Sequence, residues 1–138
     1  MIKIDFYTED CTFSYKGKIA TRNWINRAIS ESGKKTGAIS IIFCSDEYLL
    51  KINRDYLNHD YFTDIITFDY CEGTLVSGDL FISIDMVKSN AEKFGVEFYN
   101  ELRRVIIHGV MHLVGYKDKT DEDAVIMRYQ ENYWLERY

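Results

Sequence analysis

Apolar and polar residues alternate through IKIDFY at 2–7, the period of a strand with one buried face. From about Lys18 the period changes. Ile19, Trp24, Ile25, Ala28 and Ile29 recur at helical spacing as far as Ser32, which predicts an amphipathic helix that Gly33 ends. AISIIFC at 38–44 reads as a buried strand, and Ser45 or Asp46 can cap a following helix that carries Tyr48, Leu49, Ile52 and Tyr56. The polar stretch NHDYFTD at 58–64 leads into a third strand, IITFDY at 65–70. CEGTLVSG then forms a hairpin-like connection to a fourth strand, DLFISI at 79–84. Asp85 to Phe94 has helical spacing and stops at Gly95. A longer helix runs from Glu97 to Val114 with Leu102, Val105, Ile106, Val110 and Leu113 as apolar positions; Gly115 closes it, and a last helix occupies about Asp121 to Leu135.

Strands and helices mix without strict βα alternation, and no repeat or linker interrupts them. The expectation is one α+β domain over residues 1–138, with a small mixed four-stranded sheet flanked by helices. Hydrophobic residues at 46% and charged residues at 28% favour a packed globule over a disordered chain. With 11 Tyr and 8 Phe, much of the core must be aromatic, and aromatics left on an exposed wall can stack single-stranded bases. Proline is absent, so Gly, Asn, Asp and Ser must make the turns.

The formal charge of −5 and pI near 5.2 argue against a general nucleic-acid binder; RNA contact would need a local basic patch on an acidic whole. Lys16, Lys18, Arg22, Arg27, Lys34 and Lys35 gather early, whereas Asp121, Glu122, Asp123, Glu131 and Glu136 crowd the end. Cys11, Cys44 and Cys71 are odd in number and widely spaced, which predicts reduced thiols rather than a disulfide framework. MIKIDFYTED has no basic segment followed by an apolar one, and no apolar run approaches the ~20 residues of a membrane span. The expected location is the cytoplasm.

Two of the three histidines are four apart, in His108-Gly-Val-Met-His112. On a helix they project from one side, a turn apart, where two imidazoles can converge on one ion. The plainer account is two core histidines satisfied by backbone or carboxylate partners. Gly115-Tyr116 lets the chain turn back, so Asp118 can supply a third, oxygen ligand; it can equally be a helix cap or a turn residue, with Asp121 or Glu122 as donor instead. Two His and one carboxylate would leave a fourth position for water, as at a catalytic zinc. The H-E-x-x-H arrangement of metalloproteases places its base where this chain has Gly109, which argues against that chemistry and suggests close approach of backbone or substrate there.

HGVMHLVGYKD at 108–118 resembles the H-G-x-L-H-L-x-G-Y-D-H motif of the YbeY family, metal-dependent endoribonucleases that act in rRNA maturation. INRDYLNHDYFTDIITF at 52–68 resembles that family's L-N-x-x-Y-R-x-K-D-x-P-T-D-V-L-S-F segment, and Gly78-Asp79-Leu80-Phe81-Ile82 matches its G-D-L-x-I strand. The resemblance implies a zinc-like ion held by His108, His112 and Asp118, cleavage of single-stranded RNA, action on ribosomal RNA with small-subunit proteins as further partners, and no role for DNA or membrane. The family's third histidine falls on Asp118, a harder ligand. Its lysine falls on His59, its proline on Phe62, and its catalytic arginine on Leu57, which cannot donate to a phosphate. One of Arg54 and His59, with Arg54 preferred, can face the cleft and replace the lost donor; the alternative is that Arg54 is a solvated surface charge and His59 an exposed loop residue. Asp79 could orient an imidazole or a water, or equally serve only in a turn. Competing expectations are a hydrolase of another substrate using the same ion, and a ribosome-assembly factor whose metal mainly holds the fold.

Overall fold

The computed structural model describes residues 2–138. The elements are β1 (Lys3–Glu9), α1 (Lys18–Glu31), β2 (Lys35–Cys44), α2 (Asp46–Leu57), β3 (Ile65–Asp69), β4 (Leu75–Ser83), α3 (Ile84–Phe94), α4 (Phe98–Val114) and α5 (Asp121–Leu135). The sheet order is β1-β2-β4-β3, with β1, β2 and β4 parallel and β3 antiparallel on the edge beside β4. This is the expected mixed four-stranded α+β arrangement.

Alternation along β4 assigns the two faces of the sheet. Leu80 and Ile82 enter the main core with Trp24, Ile25, Ile106 and Val110, which are contributed by α1 and α4. Phe81 points to the other face, where α2 lays Leu49 and Ile52 on Ile66 and Phe68. The helix caps follow local chemistry: Ser45 accepts the Tyr48 N–H, Ser83 accepts the Met86 N–H, and Thr120 with Asp123 forms a capping box on α5.

Several strand boundaries differ from the hydrophobic pattern. β4 begins at Leu75, inside the stretch expected to be a connection, because the turn from β3 is confined to Glu72–Leu75. Glu72 and Leu75 exchange backbone hydrogen bonds around Gly73, at φ 58. β2 begins at Lys35, three residues early, because Lys35 and Thr36 pair with Leu75 and Val76 before the register shifts between Thr36 and Ile39. Ile84 leaves the strand for α3 because Ser83 caps that helix. Cys44 is buried, Cys11 and Cys71 are half-buried, and all three are free thiols. No helix among the described residues is long and apolar enough to cross a membrane.

Candidate metal centre

α4 is buried along most of its length, with Leu102, Ile106, Ile107, Val110 and Met111 inaccessible. Its remaining side carries His108 and His112, whose ring centroids lie 4.6 Å apart with planes crossing at 82°. Gly115 at φ 126 ends the helix, and its N–H and that of Tyr116 close back on the carbonyl of Met111. This tight exit returns Asp118 to the histidines.

One nitrogen of each ring is held from behind. His108 Nδ1 donates to a Glu131 carboxylate oxygen at 2.8 Å, and Arg104 holds the other Glu131 oxygen at 2.9 Å. His112 Nδ1 donates to the Tyr116 carbonyl at 3.0 Å. Carbonyl and carboxylate oxygens only accept, so in the neutral rings the proton sits on Nδ1 and Nε2 carries the lone pair. The two Nε2 atoms are 3.1 Å apart, and Asp118 Oδ2 lies 3.1 Å from that of His112 and 3.5 Å from that of His108. With both rings neutral, three acceptors thus converge on one point, an arrangement relieved by a proton on one ring or by a metal cation among them. A tetrahedral ion with bonds of about 2.0–2.1 Å separates its ligands by about 3.3 Å, so this donor set can hold a metal ion without rearrangement.

The surrounding charge favours a cation as well. Burial works against the His108 imidazolium, but the hydrogen bond and charge of Glu131, with Asp64 and Asp118 nearby, outweigh it and hold His108 above the usual histidine range. Burial pushes Glu131 up, but the hydrogen bonds from His108 and Arg104 win and keep it below the usual carboxylate range. Burial raises Asp64, opposed by the charge of His108 and by backbone N–H groups.

The site opens into a cleft of about 600 Å³. α4 and the segment after it contribute His108, His112, Asp118 and Lys119; α2 and its following loop contribute Leu57, His59 and Tyr61; Asp64 and Thr67 come from the lead-in to β3 and from β3 itself. Of the alternative oxygen donors, Asp121 and Glu122 lie in the first turn of α5, outside the convergent group, and Thr120 rather than Asp118 caps that helix.

Three placements depart from the reading of the sequence. Arg54, expected to face the cleft, pairs with Asp60 and does not line it, whereas His59 does. Asp79 is not the carboxylate that orients an imidazole; Glu131 is. Gly109 serves neither backbone nor substrate approach: a Cβ there would meet Ile65 Cδ1 at 2.7 Å and Leu80 Cδ2 at 2.9 Å, so it lets α4 seat on the sheet. In the sequence Glu131 is one of the acidic residues that crowd the end, with no site role; in the structure it lies on the buried stripe Met127, Glu131 and Trp134 of α5. A lone carboxylate on a buried stripe is the signal that could have found it.

The model of the endoribonuclease YbeY family matches residues 4–138, and the chain belongs to this family. It is 53% identical over 129 residues to the endoribonuclease YbeY of Parabacteroides distasonis, covering 94% of this chain and 91% of that protein. Identity to the Bacteroides thetaiotaomicron protein of the same name is 50% over 129 residues, 94% of each chain. The Flavobacterium johnsoniae protein of that name is 48% identical over 132 residues, covering 96% of this chain and 93% of the relative. A solution structure from Thermotoga maritima shares the fold, with a TM-score of 0.65 at 24% identity over 99% of this chain and 87% of that one.

Proposed function

We propose that this protein is a metal-dependent endoribonuclease that cleaves single-stranded RNA in the cytoplasm and acts on ribosomal RNA in maturation and ribosome quality control. His108, His112 and Asp118 hold one divalent ion, with zinc the ion best suited to two imidazoles and a carboxylate. The observation that carries the reading is the convergence of these three acceptors in an open cleft, in a chain of the endoribonuclease YbeY family. When bound, the ion supplies Lewis acidity at the scissile phosphodiester. Glu131 and the Tyr116 carbonyl keep the imidazoles aimed at it. Of the two candidate catalytic donors, His59 is favoured over Arg54 because it lines the cleft. His59 Nδ1 lies 3.1 Å from the Tyr61 hydroxyl, which can donate or accept there, and in the tautomer that carries its proton on Nε2 the ring can donate it to a phosphate oxygen.

The test pairs elemental analysis of the purified protein with cleavage of single-stranded and duplex RNA, before chelation, after it, and after metal is restored. Expected results are about one ion per chain, selective cleavage of single strands, abolition by chelator or by His112→Ala, and a roughly 100-fold lower rate in His59→Ala, with Arg54→Ala near wild type. Cleavage indifferent to chelator would overturn the metal assignment. Equal rates for His59→Ala and wild type would overturn that of the donor. Leu57 in the cleft keeps a second reading in view, an assembly factor that binds ribosomal RNA and small-subunit proteins; tight RNA binding without turnover would select it.

A further inference from the structure

The cleft is poorly equipped to hold RNA by its phosphates. Lys119 is the one Lys or Arg lining it among the described residues, against Asp64, Asp69 and Asp118, so even a bound divalent ion leaves little surplus positive charge. What the cleft offers instead is an exposed aromatic ring. Tyr61 is 55% exposed and stacks on His59 with centroids 5.2 Å apart and planes 21° from parallel, so one face of the phenol ring is backed. Leu57 adds apolar surface beside this pair, itself 41% exposed.

The ring is held in place. Asn53, buried on α2, donates its side-chain amide to the Tyr61 carbonyl at 3.0 Å, and its own carbonyl accepts the His59 N–H at 3.0 Å. Asn58 supplies the left-handed residue, φ 56, that turns the chain out of the helix between them. Two main-chain groups of the loop, anchored to the side chain and the main-chain carbonyl of one buried residue, hold the exposed aromatic loop in a single shape, which lowers the ordering cost of binding.

We infer that Tyr61, backed by His59, is a stacking platform for a nucleobase of the RNA strand, placing an unpaired base in the cleft that holds the metal centre. The inference deepens the endoribonuclease reading and rests on it. A ring with one free face binds any base of a single strand, since every base has a π-face, but not a base whose faces are covered within a duplex. The platform thereby supplies both affinity where phosphate contacts are few and preference for single strands.

The experiment measures KM and kcat of the metal-loaded protein on a single-stranded 12-nucleotide RNA and on the same RNA with one base removed at each position in turn. Tyr61→Phe, Tyr61→Leu and Tyr61→Ala are compared with wild type, with metal content and circular dichroism confirming intact folds. Tyr61→Phe keeps the ring but loses the hydroxyl beside His59, so it is expected to keep the wild-type KM whether or not kcat falls; Tyr61→Leu and Tyr61→Ala should raise KM roughly 5- to 150-fold, the loss of one base–aromatic stack. At one position of the strand, base removal should raise the wild-type KM to the same degree and cost Tyr61→Ala nothing further. A wild-type KM in Tyr61→Leu, or a Tyr61→Ala loss undiminished on every base-free substrate, would overturn the platform while leaving the nuclease reading intact. Wild-type protein that neither binds nor cleaves the RNA would overturn both.

Discussion

Glu131 acts on the metal centre through a ring nitrogen rather than by touching the site. By accepting from His108 Nδ1 it holds Nε2 as a lone pair and turns it toward the Nε2 of His112 and the carboxylate of Asp118. Its charge is balanced by Arg104 in a mostly buried pair, with side-chain exposures of 22% and 7%. Removing the carboxylate outright would strand a half-buried arginine, so the informative change is Glu131→Gln, which keeps the shape and loses the charge. Metal affinity is expected to fall about 10- to 100-fold. Competition against a chelator of known strength measures it, and an unaltered affinity would mean that ring orientation is set by α4 alone.

At the scale of elements, the site depends on how closely α4 lies on the sheet. Gly109, between the two histidines, provides the room, and the atoms that fill it are Ile65 Cδ1 and Leu80 Cδ2. Gly109→Ala improves helix propensity by up to ~1 kcal/mol, but it forces a methyl group into a space already occupied by fully buried Leu80. Overpacking of this kind costs about 1–3 kcal/mol, so a net destabilisation of about 1–2 kcal/mol is expected in urea unfolding. A stabilised Gly109→Ala variant would show that the helix can settle without the sheet yielding.

For the molecule as a whole, a formal charge of −5 leaves little general attraction for RNA. Each phosphate neutralised on a single strand contributes about 0.7 to the slope of log affinity against log salt. With Lys119 as the cleft's lysine or arginine, binding of single-stranded RNA should show a slope no steeper than about −1.5, equivalent to two phosphates. Fluorescence titration from 50 to 300 mM salt measures it. A slope of −4 or steeper would place the RNA on a basic surface elsewhere, the early run of lysines and arginines being the obvious one.

Much of the architecture is determined by local sequence. Period-2 and period-3.6 patterns, with Ser45 as a cap and Gly33, Gly95 and Gly115 as stops, correspond to the nine elements seen among the described residues, because capping and turn chemistry act within a few residues; Ser83 and Thr120 emerge as caps in the structure. The histidine pair is equally local, since i and i+4 face one way on any helix. Tertiary structure decided what local pattern cannot carry. Glu131 reaches His108 from 23 residues further along the chain, and only the packing of α5 on α4 brings them together. Arg54 and His59 are five residues apart on either side of a helix end, and the fold gave one to Asp60 and the other to the cleft. Side-chain direction beyond a helix terminus depends on the loop's anchors, here buried Asn53, and not on spacing.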